Sequence, residues 1–208
     1  KTIKPKVDLP QRSRHPTRDK LLDVVVALLE THLPQAITSE MVLKQSGISR
    51  GSMYHHFQDF AELLELAMVH SFAVNVDRSI AALTSVLLSA TKKADIYTGM
   101  EKVTTATQGP GLRAVRFQRA RLISFSEDNP RLSKSLSVEQ QRLTDAITDL
   151  IREAQMRGWM NSAFDPHAAA VLIQAYTLGK IVDDISLTPM SEEAWNSLIV
   201  RLIQKVFG

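Results

Sequence analysis

Apolar residues recur at spacings of three and four through most of the chain, the period of helices with one buried side, and no segment shows the strict alternation of a half-buried strand. Leu21, Leu22, Val25, Leu28 and Leu29 predict a first helix, capped by Thr17 and ending near His32 to Pro34. Met41, Val42 and Leu43 supply the apolar side of a short second helix, and Met53 and Phe57 that of a third. Gln58 and Asp59 break the pattern, and Asp59 caps a helix through Leu63, Leu64, Leu66, Ala67 and Val69.

From Phe72 onward the pattern is helical throughout. Ile80, Leu83, Leu87 and Leu88 mark a helix over 76–89, and a weaker pattern covers 96–106. Gln108-Gly109-Pro110-Gly111 is a turn, followed by a helix over 112–125 that Glu127-Asp128-Asn129-Pro130 closes. Leu143, Ala146, Ile147, Leu150, Ile151 and Ala154 predict a long helix that stops at Gly158. Asp165-Pro166, a cap followed by proline at the first helical position, opens another that runs through Ala169, Ala170 and Tyr176 to Gly179. Trp195, Leu198, Ile199, Leu202 and Ile203 form one side of a last helix over 192–206. The expected class is all-α, with no internal repeat.

The turn between the second and third helices is the most informative stretch. Thr38 is a good N-cap for the second helix, Gly47 supplies the positive φ of a tight turn, and Ile48 plugs back between the two helices. Ser49 caps the third helix, which at roughly two turns is too short to be stable alone. With Met53 and Phe57 inward, Arg50, Ser52, Tyr54, His55 and His56 face outward, rich in hydrogen-bond donors and free of acids. Such a face suits phosphate oxygens and base edges, as in a helix-turn-helix that presents its second helix to DNA.

Gly47-Ile48-Ser49-Arg50-Gly51-Ser52-Met53-Tyr54-His55-His56-Phe57 resembles the motif of the TetR family of transcriptional regulators, and the likeness runs over about 17–66. The resemblance implies an N-terminal three-helix DNA-binding domain over 17–70 and a larger C-terminal effector-binding and dimerisation domain over 71–208, preceded by a basic arm over 1–16. It implies a cytoplasmic homodimer that binds a palindromic double-stranded DNA operator, most often as a repressor, and leaves it when a small-molecule effector enters the C-terminal domain. The fourth helix would carry that signal. Carried over by position, Thr38, Ser49, Arg50, Gly51, Ser52, Tyr54 and His55 are the DNA-facing set, with Tyr54 and His55 on phosphates and the start of the helix nearer the bases. The segment 157–170 resembles the loop and helix that form half of the family's dimer bundle.

Three positions depart from the family pattern. Glu40 stands where a basic residue is common, Leu43 where a small alanine packs, and Phe60 where a lysine often touches phosphate. The first and third remove positive charge from the docking surface. They raise the alternative of a fold relative, binding a ligand or a protein, whose contact with DNA is weakened or lost.

Charge distribution changes the picture more than composition does. The 208 residues carry a net charge of only +3, a poor argument for nucleic acid in itself. Residues 1–20, however, hold seven Lys or Arg against two acids, whereas 61–208 hold sixteen of each sign. The positive excess therefore sits ahead of or within the proposed DNA-binding part, and Arg12 and Arg14 could enter a minor groove or lie along phosphates. No uninterrupted apolar run approaches the roughly 18 residues of a membrane span, so no membrane partner is expected. The absence of cysteine excludes disulfides and thiolate chemistry.

Catalytic and metal signatures are weak. His55-His56 is a poor metal pair, because adjacent helical residues point about 100° apart and no third ligand follows at usable spacing. Asp183-Asp184 reads as a solvated helix end, and Gly109-Pro110-Gly111 lacks the strand that a dinucleotide loop needs. Neither an enzyme nor a cofactor is expected. The helix over 112–125 carries Arg113, Arg116, Arg119 and Arg121 with no acid between them. The first three share one side, and Arg121 points between Phe117 and Phe125. An arginine there either pairs with an acid on a neighbouring helix, reaches solvent, or meets an anionic group of an effector. On that last reading Met100, Val103, Phe117, Arg121, Phe125, Trp159 and Tyr176 are the candidate pocket residues.

Overall fold

A computed structural model describes residues 15–207, so the expected contacts of Arg12 and Arg14 lie outside the described residues. Those residues are all-α, without a strand. Contacts divide the chain into two compact units, Lys1–Ser71 and Phe72–Gly208.

In the first unit, α1 (Pro16–Thr31), α2 (Ser39–Ser46), α3 (Arg50–His56) and the start of α4 (Phe60–Ser89) enclose one core. Leu21, Val25, Val42, Met53, Leu63 and Ala67 are fully buried in it, and Phe57 nearly so. The inward residues are those that helical spacing selects. The start of α1 differs from expectation: His15 occupies the cap position and Pro16 the first turn, displacing Thr17. Proline suits that place because its fixed φ is helical and its missing N–H has no partner to lose.

The sequence pattern suggested two helices between residues 59 and 89, whereas α4 runs unbroken for 30 residues. No glycine or proline interrupts Phe60–Ser89, so nothing removes a backbone bond or forces a turn. By length and composition α4 is apolar enough to cross a membrane, with a mean hydropathy of 1.2 over its best window. Leu63 and Ala67 of this helix enter the first core, and Val76 is buried in the second unit.

The second unit adds α5 (Lys93–Gln108), α6 (Arg113–Glu127), α7 (Pro130–Met156), α8 (Pro166–Gly179), the short α9 (Ile181–Asp184) and α10 (Glu192–Phe207). α7 packs along α8, burying Leu143, Ile147 and Ile151 of the one and Ala169 and Ala170 of the other. Small residues on α8 permit the close approach. Asn129 caps α7 by accepting from the Leu132 N–H at 3.0 Å, and Asp165 caps α8 by accepting from the Ala168 N–H at 2.7 Å. Just past the end of α7 stands Gly158, whose φ of 71° lets the Trp159 N–H reach the Ala154 carbonyl at 2.9 Å. α10 packs on α5, and Tyr97 Oη fastens the pair by donating to the Phe207 carbonyl at 3.0 Å.

Two expectations fail in this unit. The expected apolar side of α10 is split: Ile199 and Ile203 are buried with Phe207, whereas Leu198 and Leu202 are exposed. Asp183-Asp184 is not a solvated end. Asp184 receives Arg116 through two hydrogen bonds of 2.7 and 2.8 Å, and Asp183 pairs with the buried Lys180. The sequence pattern gave no sign of α9, because its four residues are too few to show a period.

Candidate nucleic-acid interface and cavities

The local chemistry of α2 and α3 follows from three residues. Thr38 Oγ1 accepts from the Met41 N–H at 3.3 Å, and Ser49 Oγ accepts from the Ser52 N–H at 3.2 Å, so each helix has a side-chain cap. Gly47 stands between them at φ 67°, a left-handed conformation that most side chains disfavour. Met53 at 0% exposure anchors α3, which leaves Arg50, Gly51, Tyr54 and His55 exposed and Ser52 half-buried.

Two side-chain arrangements on this surface go beyond the sequence reading. Arg50 Nη2 donates to Glu40 Oε1 at 2.8 Å, which joins the first residue of α3 to α2. The Glu40 carboxyl is held below its ordinary range first by its own backbone N–H and then by Arg50. His56 is half-buried against His15, with ring centroids 4.2 Å apart, and the His55 ring lies 5.2 Å away. Partial burial lowers the His56 pKa, and the neighbouring His15, His55 and Arg18 lower it further. No metal-binding cluster of three or more His, Cys, Asp or Glu occurs among the described residues.

Two cavities of the second unit share a wall. The smaller, about 110 Å³, is lined by Met100, Val103 and Tyr176 of the candidate set, with Leu83, Ile147 and Ile173 among the other lining residues. Burial pushes the Tyr176 phenol above its ordinary pKa. The larger, about 400 Å³, is a groove open to solvent among α6, α7 and α8, where exposed Ile123 and Val171 join Leu122, Leu136, Gln140, Gln174 and Leu178 in the walls.

Phe117, Arg121, Phe125 and Trp159 line neither cavity. Arg121 and Phe125 are exposed, Phe117 lies under the Arg113 guanidinium at 4.6 Å, and Trp159 under that of Arg157 at 4.9 Å. The arginine in the shared wall is Arg119, two residues before the one that the aromatic neighbours suggested. Gln140, Thr144 and Gln174 were also missed. Their signal was present: polar residues at positions 140 and 144, four apart, on the buried side of α7, and one in the apolar run of α8.

No protein-family model matches the chain, and no curated protein matches it by sequence. Solved structures do. GusR of Salmonella enterica superposes with a TM-score of 0.67 at 17% identity, covering 94% of this chain and 97% of its own. A structure from Mesorhizobium loti, described as a TetR-family transcriptional regulator, gives 0.69 at 15% identity over 92% and 96%. One from Saccharomonospora viridis, described as a transcriptional regulator in complex with choline, gives 0.67 at 16% identity over 91% and 96%. Both units are spanned in these matches, and the chain has the fold of the TetR-family transcriptional regulators.

Proposed function

We propose that the protein is a sequence-specific DNA-binding transcriptional regulator, a cytoplasmic homodimer that represses from a palindromic operator and is released by a small-molecule effector. One observation carries the reading: the outward side of α3 presents Arg50, Gly51, Tyr54 and His55 on a helix fixed by Ser49 and buried through Met53. Arg50, at the start of the helix with Ser49, Gly51 and Ser52, is placed to read a base edge, while Tyr54 and His55 position the motif on phosphates.

The dimer is supported by apolar stripes that remain exposed. Val171 and Leu172 of α8, flanked by exposed Ala168 and Ala175, form one, and Leu198, Leu202 and Val206 of α10 form another. A two-fold dimer would set its two motifs one helical turn of DNA apart, roughly 34 to 36 Å. The cavities supply the effector site, and α4, with Ser79, Ala82 and Leu83 on the smaller one and Leu63 and Ala67 in the DNA-binding core, is the link. Choline, the ligand of the Saccharomonospora protein, is a cation, and the Arg119 guanidinium disfavours that charge here.

Selection of tight binders from a random duplex pool at near-physiological salt tests the reading. Enrichment of an inverted repeat is expected; none from folded, dimeric protein would sink it. A second reading, a fold relative that no longer reads DNA, is favoured by the Glu40 carboxylate beside Arg50. Salt separates the two: an operator binder with six to ten phosphate contacts loses roughly 10³ to 10⁵ in affinity between 50 and 200 mM salt.

A further inference from the structure

The four arginines of α6 meet four different fates. Arg116 is clasped by the Asp184 carboxylate and has 4% of its surface exposed. Arg113 lies over the Phe117 ring and donates to the Asp184 carbonyl at 3.2 Å, and Arg121 is exposed. Arg119 turns inward, where Nη2 donates to Gln140 Oε1 at 3.0 Å and to Gln174 Oε1 at 3.3 Å. Its guanidinium carbon lies 5.6 Å from the Phe72 ring centroid, and its Nε is buried without a partner.

No carboxylate stands within ion-pair distance of Arg119 among the described residues. The two glutamines offer only dipoles, and they are already engaged: Gln140 Nε2 donates to Gln174 Oε1 at 2.7 Å, and Gln174 Nε2 to Thr144 Oγ1 at 3.1 Å. Burial pushes the Arg119 pKa below its ordinary value. A half-buried guanidinium with no opposite charge beside it is partly desolvated at a cost, and an anion beside it offsets part of that cost.

Arg119 is also the sole cation among the residues lining either cavity. We propose that the effector is a singly charged carboxylate with an apolar body, its carboxylate paired with Arg119 and its body in the larger cavity against Leu122, Leu136 and Leu178. One guanidinium answers one negative charge and matches the planar geometry of a carboxylate. A phosphate dianion would leave charge unanswered among apolar walls. The volume of about 400 Å³ is of the size that accommodates a small organic molecule. The inference rests on the reading of the second unit as effector-binding and is independent of which DNA sequence the first unit reads.

Calorimetry on the full chain tests it, with benzoate, hexanoate and 1-naphthoate each compared with its primary amide, on wild type and Arg119→Met. The expected result is a preference for an acid over its amide of roughly ten- to a hundredfold in wild type, lost in the variant. Equal binding of acids and amides by wild type, a preference that survives in Arg119→Met, or failure of every acid to bind would each overturn the proposal. The acid-to-amide comparison in wild type stands without the variant if that variant does not fold. An enriched operator with no acid preference removes the carboxylate alone, whereas an acid preference with no operator removes only the DNA reading.

Discussion

Arg50 and Glu40 form an ion pair of 2.8 Å across the turn of the proposed DNA-binding motif, with 58% and 70% of their side chains exposed. An exposed pair of this kind contributes little to stability and opens readily. Its effect falls instead on binding, because the carboxylate both steadies the guanidinium and repels approaching phosphates. Glu40→Ala is expected to tighten binding to every duplex while reducing preference at the base pair that Arg50 reads. Arg50→Ala should lose roughly 1 to 3 kcal/mol of discrimination at that position. Titrations of operator and scrambled duplex across a salt series measure both. Unchanged binding in Glu40→Ala would place that residue off the docking surface.

The cluster of His15, His55 and His56 gives the first unit a pH dependence of definite sign. In the folded chain the His56 pKa lies below its ordinary value of 6.5, so protons bind the unfolded chain more readily. Stability from this group is therefore present above about pH 6.5 and is lost as pH falls through the lower folded value. The exposed carboxylates, Glu40 included, act only in a more acidic window. Ring-proton titration by NMR should show His56 protonating below pH 6.5, and His15→Ala should move it upward, since His15 is one of the neighbours that oppose its charge. A His56 titrating at or above 6.5 would contradict the clustered arrangement.

How much of this was legible in the sequence depends on what sets each feature. The α2 to α3 turn is written locally: Thr38, Gly47 and Ser49 act on backbone groups within three residues, and the structure has all three as read. The inner arginine was not legible. Helical spacing shows that Arg113, Arg116 and Arg119 share a side and that Arg121 does not, yet it cannot say which side faces the core. Phe117 and Phe125 suggested the wrong one, since Phe125 is 37% exposed and Ile123 beside it 42%. The phase is fixed by Asp184, sixty-eight residues on, which draws Arg116 inward and Arg119 with it. Such a long-range partner leaves no periodic trace.

The crossing of α4 and α5 offers a test of packing. A methyl group on Gly99 would stand 2.3 Å from Val86 Cγ1 and 3.2 Å from its Cβ. Valine is stiff about χ1 and cannot swing aside. Overpacking of this kind costs about 1 to 3 kcal/mol, against a gain of roughly 1 kcal/mol from the better helix former. Gly99→Ala is expected to lower the urea midpoint, and adding Val86→Ala to restore part of the loss. Additive effects of the two changes would show that the helices are not in contact there.

The buried pair between α6 and α9 makes the last prediction and bears on the proposed effector site one turn away. Arg116 is fully served: Asp184 takes Nε and Nη2, and the carbonyls of Thr107 and Gly109 accept from Nη1 at 3.3 and 3.2 Å. Asp184→Ala would leave that guanidinium buried without its carboxylate, a loss of about 3 to 5 kcal/mol in comparable cases. Replacing both partners, Arg116→Met with Asp184→Leu, should recover most of it, because neither charge then remains to be answered. The contrast with Arg119 follows from the same rule. Arg119 has no carboxylate to strand, so Arg119→Met should cost less than Arg116→Met when each is measured by urea unfolding. The reverse order would mean that the hydrogen bonds from Arg119 to Gln140 and Gln174 hold the helices together, and that its charge is spent on structure.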